Sequence, residues 1–284
     1  MKKLVLIVFV LLFLLSSCRN GELMQRNEMC FNISCASTKA ISSAFETGDA
    51  ISLYAVEWEG GIQYPLQIGG NFLNNERLAF DGITWSSTHT LFWGEHPCDF
   101  YALYPFQNSV TSIEKFPFTL SADQNGGGYE TSDLLYASVE RVAVNDPVVL
   151  KFRHLMSKLV VVLEKGESFE GEIPNDIVAS VYNTTISCTV DLAMGSVAKD
   201  VFGSKSTLTM KKISNNRFES IIIPQNISKF MPMIELSMGG ISYMLDYSLS
   251  FRPGYVHTIT ITLNTSPDQE QIEISIDPSS GNWN

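Results

Sequence analysis

Histidine is scarce in this chain, with only His89, His96, His154 and His257 among 284 residues. General acid–base chemistry near neutral pH and most zinc sites therefore have little to draw on. His89, His96 and Cys98 are close in sequence, but their spacing matches neither a zinc finger nor a catalytic zinc site. The Gly-x-Ser-x-Gly elbow, the phosphate loop, the Rossmann glycine pattern and His-Glu-x-x-His are all missing. These absences leave no nucleophile, base or metal set for an enzyme, and no cofactor is expected. Basic residues are also few, 19 Lys and Arg against 30 Asp and Glu, for a formal net charge of −11. Such a balance argues against nucleic acid as a partner and against charge-driven adhesion to anionic headgroups. No apolar run after residue 15 reaches 18 residues, so no transmembrane helix is expected. Helical periodicity beyond about two turns, internal repeats and low-complexity tracts are likewise missing from the remainder.

What is present begins at residue 1. Lys2 and Lys3 precede an unbroken apolar run from Leu4 to Leu15, followed by Ser16-Ser17-Cys18. That is the tripartite layout of a secretory signal, and the run is too short for a spanning helix of ~20 residues. Leu15-Ser16-Ser17-Cys18 resembles the lipobox of bacterial lipoproteins, in which the cysteine is lipidated and becomes the first residue. Residues 1–17 are therefore expected to be a signal peptide, Cys18 a lipid anchor (palmitate and related chains), and residues 18–27 a tether. Two or more acyl chains hold a protein on a membrane durably. Loss of the leader's two lysines takes the net charge from −11 to −13, as suits a solvated, extracytoplasmic surface.

The mature chain reads as all-β. Met29, Phe31, Ile33 and Cys35 alternate with Cys30, Asn32, Ser34 and Ala36. Two-residue alternation or β-branched runs recur at 51–55, 148–152, 159–163, 177–182, 186–192, 218–223, 234–238, 255–263 and 272–276. Gly, Asn, Asp and Pro clusters punctuate them, a pattern of sandwiches. The division is expected near His154 to Lys158, giving domains 28–155 and 156–284 with no flexible linker between them. Cys30, Cys35, Cys98 and Cys188 allow three pairings into two disulfides, but their irregular spacing favours buried thiols. Cys30 and Cys35, five apart in one strand, face opposite sides. The acidic, glycine-rich stretch from Asp123 to Asp133 lacks the ligand spacing of a calcium loop and reads as a surface loop. Trp58, Tyr64, Trp85 and Trp93 offer a sugar-stacking platform or, more simply, core filling.

Several stretches in order carry a family resemblance. Phe45-Glu-Thr-Gly-Asp-Ala-Ile-Ser-Leu-Tyr-Ala55, Cys98-Asp-Phe-Tyr-Ala-Leu-Tyr-Pro105, Ser132-Asp-Leu-Leu-Tyr-Ala137, Leu150-Lys-Phe-Arg-His-Leu-Met-Ser-Lys-Leu159, Pro224-Gln225 and Phe251-Arg-Pro-Gly-Tyr255 resemble the fimbrillins of Bacteroidales lipoproteins across roughly residues 30 to 284. The resemblance implies two tandem transthyretin-like β-sandwich domains and a lipid-anchored, surface-exposed place on the outer membrane or in a fimbrium. It also implies a structural role in cell adhesion, with other copies or related pilin subunits as partners.

For such subunits the resemblance implies strand exchange. A protease removes the first strand, and a neighbour's strand fills the groove. Met29, Phe31, Ile33 and Cys35 form the candidate leaving strand. Ile272, Ile274 and Ile276, within 271–277, form the candidate donor strand, because both segments have a clean apolar face. Three buried isoleucines contribute roughly 5–9 kcal/mol before ordering costs. Lys39, in Ser37-Thr-Lys-Ala-Ile41, is the candidate cleavage point, where the family often has arginine; Arg19 and Arg26 precede the strand. The competing expectation is a surface lipoprotein that never polymerises and binds a glycan or host protein.

Overall fold

The computed structural model of the chain describes residues 27–35, 45–228, 231–264 and 274–284. The first half contains β1 (Phe31–Cys35), β2 (Ala50–Glu59), β3 (Ile62–Gln63), β4 (Leu73–Phe80), β5 (Trp85–Ser86), β6 (Cys98–Tyr104), β7 (Phe116–Thr119), a single helical turn α1 (Gly128–Ser132), β8 (Leu135–Val142) and β9 (Val148–His154). The second half contains β10 (Ser157–Lys165), β11 (Val178–Thr185), β12 (Ser187–Asp191), β13 (Ser196–Lys199), β14 (Lys205–Thr209), β15 (Lys211–Ser214), β16 (Arg217–Ile222), β17 (Asn226–Ile227), β18 (Pro232–Met238), β19 (Ile241–Asp246), β20 (Leu249–Ser250), β21 (Tyr255–Leu263) and β22 (Ile274–Asn282). The fold is all-β.

β9 shows why these segments form strands. Its Val148, Leu150 and Phe152 are wholly buried while Val149 and Lys151 face water, a two-residue period with one solvated face. β9 belongs to an eight-stranded sheet of order β1-β9-β8-β6-β2-β4-β5, with β3 added on β2. This sheet curls about its own core. Phe45 packs edge-on against Trp85 of β5 at one end (4.9 Å) and Phe152 of β9 near the other (5.5 Å), so strands far apart in sheet order converge on one ring. Ile51, Leu53, Leu78, Phe100, Leu150 and Phe152 fill the enclosed space.

The second half is a sandwich. A five-stranded sheet, β15-β16-β10-β21-β22, faces a four-stranded sheet, β14-β11-β18-β19, across Leu159, Val161, Val181, Phe218, Leu236 and Ile259. The two halves repeat one closure. In the first, strand β1 runs parallel to the last strand, β9; in the second, β10 runs parallel to β21. β22 is then an additional strand, antiparallel to β21 and at the sheet edge.

A third core knits the halves together. β7, from before residue 155, pairs with β12, from after it. Tyr54, Leu103, Phe118, Leu134, Met156, Val190 and Ile221 pack in one cluster drawn from both sides of the division.

Candidate functional site

The first segment lies in a groove. Phe31 to Cys35 pair parallel with Val148 to Phe152. Just before them, Met29 N–H donates to the Leu91 carbonyl (2.8 Å) and Trp93 N–H donates to the Asn27 carbonyl (3.0 Å). The entry of the segment thus has backbone neighbours on both sides, and among the described strands β1 pairs with β9. Met29 is buried, Phe31, Ile33 and Cys35 are half-buried against the first core, and Cys30, Asn32 and Ser34 are exposed. Phe31 meets Phe100 edge-on at 6.4 Å. All four residues singled out by alternation therefore share one face, over a floor of the fully buried Val148, Leu150 and Phe152.

Of the donor candidates, Ile274 and Ile276 lie in β22, at register positions opposite Leu263 and Ile261 of the same chain. Ile272, Lys39 and Cys18 lie outside the described residues. The donor segment is thus not a loose arm here. It is held in cis along nine residue pairs, from Tyr255↔Asn282 to Leu263↔Ile274.

Beyond β22 the chain reaches the junction of the two halves. The Trp283 ring stacks on His154 (centroids 3.5 Å apart, 11° between planes), and the Asn284 Oδ1 accepts the His154 backbone N–H at 2.6 Å. Trp283 N–H donates to the Gly254 carbonyl at 2.7 Å. A Cβ at residue 254 would sit 1.9 Å from the Asn284 Nδ2, and the φ there is +68°, so both space and backbone call for glycine. Trp283, Cys35, Phe45, Tyr104 and Tyr129 line a cavity of about 510 Å³. The ends of β1, β9 and the tail therefore meet at one place.

Several charges around this cavity are paired. Lys158 Nζ is 2.6 Å and Arg217 Nη2 2.7 Å from the carboxylate of Glu219, which also accepts the Tyr129 hydroxyl at 3.1 Å. Burial pushes the Glu219 carboxyl up, but hydrogen bonds and charge from Lys158 and Arg217 outweigh it and leave the group below the usual glutamate range. His154 Nδ1 lies 2.9 Å from Asp133. Burial, then the Asp49 carboxylate, pushes the Tyr104 hydroxyl up. No sequence pattern announced this cluster, since its residues come from well-separated segments.

The structure also places the other residues singled out in the sequence. The four aromatics form no shared platform. Trp93 is buried edge-on to Phe100 (5.8 Å), Trp85 stacks on Phe80 (5.1 Å), and Trp58 Nε1 donates to Asp99 Oδ1 (2.7 Å), leaving Tyr64 the most exposed. Cys98 and Cys188 are buried thiols, each pushed up to about 12 chiefly by burial. Cys30 is instead exposed, and Cys35, half-buried, is pushed up to about 11 by burial and then by Asp133. Among the described residues, no group of three His, Cys, Asp or Glu is placed to hold a metal. The stretch 123–133 is not a plain surface loop. Gln124 is fully buried; its Nε2 donates to the Ile221 carbonyl (2.8 Å), and its Oε1 accepts from Ile221 N–H (2.7 Å) and the Ser220 hydroxyl (3.1 Å).

The fold has solved counterparts. A Bacteroides uniformis protein assigned to cell adhesion is 20% identical, with a TM-score of 0.68 over 91% of this chain and 100% of its own. A Bacteroides ovatus protein, also assigned to cell adhesion, is 16% identical, with a TM-score of 0.72 over 91% of this chain and 98% of its own. A Bacteroides ovatus fimbrial protein is 17% identical, with a TM-score of 0.56 over 86% of this chain and 51% of its own. No curated protein matches the chain. The family model described as fimbrillin-like matches residues 38–283. The chain belongs to the fimbrillin-like family, whose members are structural proteins and not enzymes.

Proposed function

We propose that this chain is a structural subunit of a surface fimbria acting in cell adhesion, delivered to the outer membrane through lipid on Cys18 and released from that anchor when its first strand is cut away. In this reading it joins other copies or related subunits by strand exchange. One observation carries the proposal: a short first strand, paired with β9, covers a floor of wholly buried apolar side chains. Cutting after Lys39 would free everything from Cys18 to Lys39, β1 included, and open that floor. An apolar strand of two-residue period from a neighbour then restores both the burial and the backbone hydrogen bonds. β22 is the natural donor, because among the described strands it is the one added after each half has closed, and it sits at an edge. The repeated first-to-last parallel closure supports the reading of two tandem transthyretin-like sandwiches. Head-to-tail donation does not close, so it extends into a filament. The printed assignments of the similar proteins, fimbrial and cell adhesion, point the same way.

The test is to cut the purified mature chain after Lys39 and follow it on unheated denaturing gels. Heat-sensitive ladders are expected, and their amino terminus should be Ala40. Ladders that retain residues 28–35 sink the reading.

The nine-pair attachment of β22 in cis favours a second reading, a non-polymerising lipoprotein that binds a glycan or host protein. That reading expects an intact start at Cys18, no ladder, and a saturable ligand.

A further inference from the structure

The loop between β13 and β14 holds its apolar residues outward. Phe202 is 94% exposed and Val201 74%. The turn that presents them is fixed. Asp200 Oδ1 accepts the Phe202 N–H at 2.9 Å, Asp200 N–H donates to the Ser187 carbonyl at 3.0 Å, and Gly203 N–H donates to the Asp200 carbonyl at 3.3 Å. A Cβ at residue 203 would fall 2.6 Å from Ser187 Oγ and 2.8 Å from Thr185 Cγ2, so the backbone is packed down on β11 and β12. Because the turn is already ordered, covering Val201 and Phe202 by a partner would cost little further ordering. Lys199 and Lys205 flank it, close enough that burial and then the Lys199 charge lower the Lys205 pKa.

A matching depression lies elsewhere on the surface. Tyr64, Pro65, Leu66, Ile68, Tyr101 and Ile113 line an open groove of about 600 Å³, with Glu114 on its rim. Glu59 accepts the Tyr64 hydroxyl at 2.6 Å and adds a second carboxylate beside it. Ile68 is 53% and Tyr64 49% exposed. Ala193, in the turn before β13, lines the groove, whereas the Phe202 loop follows the other end of β13. Four extended residues separate them by roughly 13 Å at ~3.3 Å each. The loop therefore does not fold back into its own groove.

We propose that the Val201–Phe202 knob docks into the groove of a second copy of this chain, Lys199 and Lys205 facing Glu114 and Glu59. The contact deepens the fimbrial reading, and it uses no residue of β1, β9, β21 or β22. It is heterologous, so it builds either a closed ring or an open chain.

Sedimentation velocity on the full mature, uncut chain tests this, because strand exchange cannot operate there. Concentration-dependent, salt-sensitive self-association is expected, weakened about tenfold or more by Phe202→Ser, as for an anchor residue. Lys199→Glu with Lys205→Glu should weaken it too, and adding Glu114→Lys should restore part of the loss. Circular dichroism checks that each variant folds. A monomer at every concentration, indifference to Phe202→Ser, or no restoration by the charge swap overturns the proposal. So does binding of the uncut chain to phosphatidylglycerol vesicles through Phe202 without self-association, which would make the knob a membrane loop. Ladders from the Lys39-cut chain are scored separately, so either contact stands or falls without the other.

Discussion

Glu219 sits in β16 with its side chain almost wholly withdrawn from water, between the cations of Lys158 and Arg217. A buried ion pair is weak evidence of net stabilisation, but removing one partner strands the other. Glu219→Gln keeps an oxygen that can accept from Lys158 but removes the negative charge, leaving the buried ammonium beside a neutral amide and the ring faces of Tyr129 at 5.7 Å and Trp283 at 5.5 Å. The expected cost is about 3–5 kcal/mol, read as a lower midpoint in urea with an unchanged slope. The pH dependence has a definite sign. The folded-state pKa of Glu219 is depressed, so the stability it supplies is present above the ordinary carboxylate range and is lost as pH falls through the depressed value. Glu219→Gln should therefore flatten the acid limb of a stability–pH curve and leave its neutral-to-alkaline part parallel to wild type. An acid limb as steep in the variant would assign that loss to other carboxylates.

At the scale of elements, strands with a clean two-residue period were legible from the residues alone. β1, β9, β18 and β21 stand where alternation puts them, because one face of each meets a core and the other meets water or a partner sheet. β4 was not legible. Its Asn74-Asn75-Glu76-Arg77 offers no apolar alternation, and it is a strand because β2 and β5 pair with it on either side. β22 was legible only in part, since alternation ends at Ile276 while the strand continues through Pro278 to Asn282. Proline is compatible with a strand at a sheet edge, where one side needs no hydrogen-bond donor. The groove of β1 was foreseen as a face but not as a place, because its floor comes from β9, more than 100 residues later. The face itself makes a prediction. Ile33→Asp puts a carboxylate against the first core and should weaken docking of β1 by about 1–2 kcal/mol, a factor of roughly 5–30 in its open population. Trypsin cleavage at Lys39, followed by amino-terminal sequencing, should speed up accordingly. Ser34→Asp, on the solvent face of the same strand, should leave the rate unchanged. Equal acceleration by both would mean that β1 does not guard the cut.

Across the whole molecule, the division near residue 155 is a turn of the chain and not a seam in the packing. Leu155 and Met156 are buried in the shared core, and β7 and β12 pair across the division. Gln124 adds a polar tie by completing the hydrogen bonds of Ile221, which is 97 residues away. A subunit pulled along a filament would thus resist as one body, because separating the halves exposes Leu134, Met156 and Ile221 at once. Calorimetry of the mature chain should accordingly show one cooperative transition with matching van't Hoff and calorimetric enthalpies. Gln124→Ala leaves buried backbone groups of Ile221 without side-chain partners, at about 1–3 kcal/mol, and should lower that transition by several degrees without dividing it, since the apolar part of the seam is untouched. Two resolved transitions in the wild type would refute the single body. Two in Gln124→Ala alone would assign the coupling to this one amide rather than to the core around it.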